Sequence, residues 1–269
     1  MRKLVAFLAL AVLFIAGLSS AAPVSLLTAE PNTSTWVCMP IDVSLGNSDW
    51  YAGISRSPGL NGSYWKTEGA VASLAVSDAP ELNRVVFNVF GNTYKQVSVD
   101  LTPWTMVGTS DVVTEFGLPD GTYVVNTAYP PNIGVTFRTY NDLGENGTYG
   151  ATLPKLTAYT KSFVSWPSQV GRRWLYVVVL DNADFYIALY KYDGTLVYLG
   201  EENSAIFGYV RLFSRPVDPE VGFAVIELKP REGGQPGGYE YHPSVLPYGT
   251  GVDNLTGAPN IFTAVPALF

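Results

Sequence analysis

Apolar and polar residues alternate with a period of two along most of this chain, and no other feature constrains the fold as strongly. Successive side chains of a strand point to opposite faces, so the alternation predicts strands with one buried face. Val, Tyr, Phe, Thr and Trp dominate these stretches, as is typical of pleated sheets. The predicted strands are Thr35 to Leu45, Ala70 to Val76, Arg84 to Phe90, Tyr94 to Leu101, Thr122 to Ala128, Gly134 to Tyr140, Arg173 to Leu180, Asp184 to Tyr192, Thr195 to Leu199, Ile206 to Phe213 and Gly222 to Leu228.

Turn signals separate these stretches, and the strongest is Asp193-Gly194, which predicts a hairpin. A spacing of roughly 8 to 12 residues between turns is typical of sandwiches and barrels. We therefore predict an all-β fold, an antiparallel and jelly-roll-like β-sandwich over residues 22–229. The alternation weakens near residues 151–171, so one large sandwich and two abutting sandwiches both remain open.

The first residues have the layout of a secretory signal peptide over residues 1–21. Arg2 and Lys3 precede an uncharged apolar run, and small residues lead to a predicted cut before Ala22. The apolar run is shorter than the roughly 20 residues that a membrane-spanning helix needs. We therefore expect a secreted or cell-surface protein with no transmembrane segment once the signal is removed.

The charge and the scarcity of two residue types exclude several functions. The net charge of −7 makes nucleic acid an unfavourable partner, because phosphates would be repelled. Cys38 is the only cysteine and His242 the only histidine, so a single chain has no disulfide and cannot build a zinc or copper site. Nucleophilic catalysis would depend on His242, which lies in a Gly/Pro-rich stretch unsuited to holding a base.

A two-carboxylate glycosidase is the enzymatic alternative, although we favour a function without catalysis. Glu115 and Glu227 are the candidate acid and nucleophile. We expect no cofactor, with calcium as the alternative, since oxygen-rich loops suffice to bind it. Its candidate ligands are Asn141, Asp142 and Glu145.

Two pairs of adjacent aromatic residues predict a surface that stacks on sugar rings. A protein with such a surface would have polysaccharide as its partner. The candidates are Trp50 with Tyr51 and Tyr64 with Trp65. The competing interpretation is that these rings fill the core, which is common in sandwiches.

Four N-glycosylation sequons lie in predicted turns or tails, where a glycan can attach. Their acceptor residues are Asn32, Asn61, Asn146 and Asn254.

Residues 230–269 are predicted to form an extended arm, because seven glycines and five prolines lie between Pro230 and Asn260. The arm ends in a predicted edge strand made of Ile261, Phe262, Thr263, Ala264 and Val265. We expect this strand to dock on its own domain, with insertion into a neighbouring subunit as the alternative. Ala22 to Thr35 is a rival donor.

Together these features favour a secreted structural or interaction protein, a subunit of a surface filament, sheath or adhesive layer that assembles through β-strand contacts. Self-association and binding to other surface proteins are the expected partnerships. The alternative is a secreted carbohydrate-active protein, either a binding module or a glycoside hydrolase.

Overall fold

The computed structural model describes residues 47–58, 64–91, 94–142, 148–180, 184–202, 210–229, 244–253 and 259–267. Within these ranges the chain is almost entirely antiparallel β-structure, which confirms the predicted all-β sandwich class. The strands are β1 (Asn47–Pro58), β2 (Tyr64–Ser73), β3 (Arg84–Phe90), β4 (Lys95–Asp100), β5 (Met106–Thr109), β6 (Gly121–Tyr129), β7 (Ile133–Asp142), β8 (Thr148–Thr152), β9 (Lys161–Ser165), β10 (Val170–Leu180), β11 (Phe185–Lys191), β12 (Leu196–Glu202), β13 (Val210–Val217), β14 (Val221–Leu228), β15 (Ser244–Asp253), β16 (Pro259–Thr263) and β17 (Val265–Pro266).

Helical structure in the described ranges is limited to a 3₁₀ turn, Pro80–Leu82, and one short α-helix, α1, Val112–Glu115. Asp111 caps α1 by accepting a hydrogen bond from the Thr114 backbone N–H. Neither piece has the length and apolarity that a membrane-crossing helix requires.

Sheet A contains β1 to β8 in the order β4-β3-β6-β1-β2-β7-β8, with β5 paired to β2. The sheet curls on itself. The ring centroids of Phe87 on β3 and Phe137 on β7 lie 6.2 Å apart, although three strands separate β3 from β7 in the sheet. Gly53 contributes a bend in β1, where the register with β6 shifts and the residue takes a φ of +87°. The curled sheet and α1 enclose the first core.

Sheets B and C form a sandwich. Sheet B has the order β13-β10-β15-β16, and sheet C has the order β12-β11-β14-β9-β17. Leu175, Val177 and Val179 on β10 face sheet C across the second core. Val178 points the opposite way, into a third cluster with Trp50 of sheet A. Sheet B is therefore the middle of three layers around Val178, while Trp174 on the same strand is 40% exposed.

Part of the predicted arm is built into this sandwich, which differs from the expectation of an extended arm. β15 lies between β10 and β16, and its residues from Val245 to Pro247 are buried. Gly249 allows this, because a Cβ there would lie 2.7 Å from Val164 Cγ1 and 2.9 Å from the buried Trp166 ring. In the sequence Gly249 argued against a strand, yet its lack of a side chain is what lets the Trp166 indole pack against β15. Residues 230–243 lie outside the described ranges.

The end of the chain closes one side of the sandwich. β16 pairs with β15 at the edge of sheet B, and β17 pairs with β9 at the edge of sheet C. Ala264 lies between the two strands and is buried in the second core. Pairing of β15 with β16 stops at Tyr248, next to Pro247, which has no N–H to donate. The segment from Ile261 to Val265 thus passes from sheet B to sheet C, and the choice between its own subunit and a neighbouring one stays a prediction.

The division predicted near residues 151–171 stays a prediction. In this part of the chain, Leu156 forms an isolated bridge with Trp50, and Tyr159 forms one with Val245. The connection from β8 to β9 therefore contacts both sheet A and sheet B.

Candidate interaction surface

The outer face of sheet C carries a continuous row of apolar residues that crosses all five strands. The register pairs Leu199 with Ala188, Ala188 with Val225, Val225 with Phe163, and Phe163 with Val265. We call these five residues the apolar strip. They alternate with residues of the second core, such as Ile187 and Ile226, so they point away from it.

A second apolar row borders the strip. Tyr190 and Phe223 stack with their ring centroids 4.8 Å apart and their planes within 10° of each other. Leu196 is paired with Tyr190 and is exposed. This row covers three strands, because Phe223 is paired with Ser165 on β9. With strands about 4.8 Å apart, one row over five strands and one over three cover on the order of 250 Å². An apolar patch of this size on a monomer often has a function.

Neutralised charges border the strip on its other side. The register places Glu201, Tyr186, Glu227 and Lys161 in one row. Lys161 Nζ lies 2.9 Å from Glu227 Oε2. Lys229 pairs with Glu201, and its ammonium lies 5.8 Å from the Tyr186 ring centroid. The two pairs cancel, so this rim carries no net charge although the chain is acidic.

Edge strand β12 is the most exposed part of this surface. Leu199 is 66% exposed, and Leu196 and Val197 are exposed as well. Within the described residues, β12 pairs only with β11. Its apolar side chains and its open hydrogen-bonding edge therefore lie together.

Two of the four predicted sugar-stacking rings are buried, which does not fit that role. Trp50 is 9% exposed and stacks on Phe90 between sheets A and B, while Tyr51 lies in the first core against Phe137. Burial is favoured because adjacent residues of β1 face two different cores. Tyr64 and Trp65 are half-buried, and the Tyr64 hydroxyl donates a hydrogen bond to Asp120.

The structure does not bring Glu115 and Glu227 together. Glu115 ends α1, which packs against sheet A, and Glu227 lies on the outer face of sheet C. Sheet B lies between these layers. Glu227 is also ion-paired with Lys161.

Two other carboxylates do meet, at a cluster that local sequence could not reveal. Arg56 Nε lies 2.9 Å from Asp111 Oδ2, and Arg56 Nη1 binds Asp120. The Tyr64 hydrogen bond lowers the pKa of Asp120, with a further contribution from Arg56, and the Asp120 hydrogen bond raises the pKa of Arg56. A glycosidase needs one carboxyl held protonated, so this cluster suits a structural clamp between β1 and α1.

A second polar cluster joins β1, β6 and the connection from β8 to β9. Lys155 Nζ lies 2.7 Å from Asp49 Oδ2 and donates to the Tyr129 hydroxyl at 3.0 Å, and that hydroxyl donates to Asp49. The hydrogen bonds to Asp49 and Tyr129 raise the pKa of Lys155. Burial, followed by the Asp49 hydrogen bond, raises the pKa of Tyr129. Both groups keep their protons at neutral pH, so neither serves as a general base.

Of the predicted calcium ligands, Asn141 and Asp142 end β7, and Glu145 lies outside the described residues. Asp142 Oδ2 lies 3.1 Å from Lys66 Nζ, so this carboxylate already forms an ion pair within its own chain. The parts of the chain that the structure describes contain no cluster of three metal-ligating His, Cys, Asp or Glu residues.

Several predicted positions lie outside the described residues, namely Cys38, His242, Asn32, Asn61, Asn146 and Asn254. Described strands flank three of the four sequons. Asn61 lies between β1 and β2, Asn146 between β7 and β8, and Asn254 between β15 and β16. Glycosylation at all four stays a prediction.

No protein-family model, curated protein or solved structure matches this chain.

Proposed function

We propose that this protein is a secreted structural subunit of a surface filament, sheath or adhesive layer, and that it assembles through the outer face of sheet C. The observation that carries the proposal is the apolar strip, which crosses five strands of an outer layer without a covering element among the described residues. The predicted signal peptide at residues 1–21 supports a location outside the cell.

The neutral rim supports self-association in particular. A chain with a net charge of −7 repels its own copies, and this repulsion is weakest where opposite charges are paired. Lys161 with Glu227 and Lys229 with Glu201 provide such pairs beside the strip. Apolar area with a polar rim is also the usual anatomy of protein interfaces.

The test is assembly of purified protein at rising concentration, followed by light scattering and electron microscopy. We expect ordered assemblies, and Val225→Asp should prevent them, because a charge in the middle of the strip would be buried without a partner. Val76→Asp is the matched control, since Val76 is 88% exposed and belongs to none of the three sheets. Far-ultraviolet circular dichroism and melting temperature verify that both variants fold.

A wild-type protein that stays monodisperse at every concentration would count against this function. The alternative, a carbohydrate-active protein, is favoured by a cleft of about 330 Å³ between sheets A and B. Phe90, Tyr123 and Arg211 are among its lining residues. Monomers that bind soluble polysaccharide, and lose this binding in Arg211→Ala, would replace the structural function with the alternative.

A further inference from the structure

We infer that β12 pairs with β12 of a second copy, antiparallel and about a two-fold axis, so that the two C sheets become one continuous sheet. This inference rests on the proposed function and names the contact that builds the first step of the assembly. It follows from a comparison of the sheet edges, from the symmetry of antiparallel pairing and from the charges on β12.

Open sheet edges invite pairing with other chains, and proteins protect them with proline, with Lys or Arg, or by keeping them short. In the described residues, β13 carries Arg211, Arg215 and Pro216, and β16 begins with Pro259. β17 has two residues, one of which is Pro266. Sheet B therefore has protected edges on both sides, and sheet C has one on the side of β17.

Sheet A is protected as well. β4 begins with Lys95 and ends with Asp100, β5 has four residues, and β8 lies against β16.

β12 lacks these three protections, and its one irregularity is a register shift against β11 at Val197. It has seven residues with no proline, lysine or arginine. Its only charges are Glu201 and Glu202 at one end, and both have partners in their own chain. Lys229 binds Glu201, while the Tyr198 hydroxyl donates to Glu202 at 3.2 Å and Arg215 lies 3.8 Å from it. The edge is thus apolar along its length and neutralised at its end.

A two-fold antiparallel pairing must place one residue opposite its own copy. Leu199 is the middle residue of β12, so a register centred there gives the longest pairing. In that register Glu201 faces Val197 of the second copy, where β12 shifts register against β11, and Glu202 lies beyond this point, near Leu196 of the second copy. No glutamate faces a glutamate, so the pairing brings no like charges together.

The same register also extends the apolar strip. Leu199 ends the strip on the β12 side, and its most exposed side chain would meet Leu199 of the second copy. The two strips then form one row across ten strands, twice the five of one subunit. Burial of the exposed leucine against its copy adds apolar contact to the hydrogen bonds of the new strand pair.

Disulfide trapping tests the register directly. Residues directly opposite in an antiparallel pair have Cα atoms about 4.5–5.5 Å apart, which a disulfide can span. Cys38→Ser provides a background without other thiols. In that background we expect Leu199→Cys to form covalent dimers under mild oxidation at least about tenfold faster than Val76→Cys, because pairing raises the effective thiol concentration.

Val197→Cys is the matched control on the same strand. Val197 is also exposed, but in the centred register it lies four residues away from its own copy, roughly 13 Å. We expect it to oxidise no faster than Val76→Cys. A mixture of Val197→Cys and Glu201→Cys proteins should instead give mixed disulfide dimers.

Three results would overturn the inference. If wild-type protein assembles but Leu199→Cys oxidises no faster than Val76→Cys, the edge pairing is wrong and the proposed function stands. Equal rates of disulfide formation at positions 197 and 199 would indicate that the two C sheets pack face to face. The edge pairing would then be wrong, and the proposed function would stand. If no variant and no wild-type protein assembles, the proposed function falls together with the inference.

Discussion

At the scale of single residues, Arg173 is the most informative side chain of the sandwich. It is 1% exposed and donates hydrogen bonds to four backbone carbonyl oxygens, those of Val170, Val221, Pro167 and Ser168. These carbonyls belong to the turn before β10, to the first residue of β10 and to the start of β14, so one guanidinium joins sheets B and C at this end. The planar fork of donors is what makes four such bonds possible.

We therefore expect Arg173→Lys to lower the free energy of unfolding by roughly 2–4 kcal/mol, because a lysine reaches fewer carbonyls and leaves buried ones without donors. Urea unfolding monitored by tryptophan fluorescence measures this loss. Arg172→Lys is the matched control, since the adjacent Arg172 is exposed. Equal effects of the two substitutions would show that the carbonyl contacts do not stabilise the fold.

At the scale of elements, the last two strands act together as a clasp. Phe262 packs against the second core, Ile261 packs against the first and third, and Ala264 is buried where the chain changes sheets. The connection from β15 to β16 comprises only residues 254–258, so β16 is closely tethered to its own subunit. A short tether favours docking on the same subunit over exchange between subunits.

A chain that ends at Gly257 lacks both clasp strands and should lose stability. Full burial of a large apolar side chain stabilises by roughly 1.5–3 kcal/mol, and Ile261 and Phe262 are each half-buried. We therefore expect a total loss of roughly 1.5–3 kcal/mol and a lower melting temperature. A chain that ends at Ala267 keeps both strands and should melt like the full-length protein. An unchanged melting temperature for the shorter chain would contradict the clasp. Loss of assembly without loss of stability would show exchange between subunits.

At the scale of the whole molecule, sheet B couples the other two layers. Its β10 strand contributes Leu175, Val177 and Val179 to the second core and Val178 to the third, and its β15 strand contributes Leu246 and Tyr248 to the third. Sheet A cannot separate from sheet B without exposing this third cluster. The middle layer thus connects the curled sheet to the sandwich, and no other described strand covers the outer face of sheet C.

This coupling predicts one cooperative unfolding transition for the whole protein. Leu246→Ala should lower the midpoint of that transition, at a cost of roughly 2–5 kcal/mol for a buried leucine, without splitting it. Leu74→Ala is the control, because Leu74 is 60% exposed. Differential scanning calorimetry distinguishes the cases, and two separate transitions in the wild-type protein would show that the layers unfold independently.

The amino-acid pattern alone was sufficient for the fold class and for many strands. Predicted Arg84 to Phe90 is β3, and Asp193-Gly194 lies in the hairpin between β11 and β12, where Gly194 has a φ of +86°. These features are local, because strand periodicity and left-handed turn residues are readable within a few positions. Residues two apart on a strand share a face, and Arg173 lies two residues before Leu175 and four before Val177. This spacing already indicated that Arg173 is buried.

Tertiary structure decided what depends on neighbours distant in sequence. Gly249 and Pro247 argue against a strand until Trp166 packs on the glycine and the partner strand ends beside the proline. Arg56, Asp111 and Asp120 meet only because the first strand passes α1 and the turn before β6. Likewise, a period of two shows that a strand has an inner and an outer face, but only the stacking of three layers determines which outer face stays uncovered. Sheet B is covered by sheets A and C around Val178 and Leu246, and the apolar strip is open because sheet C is the last layer.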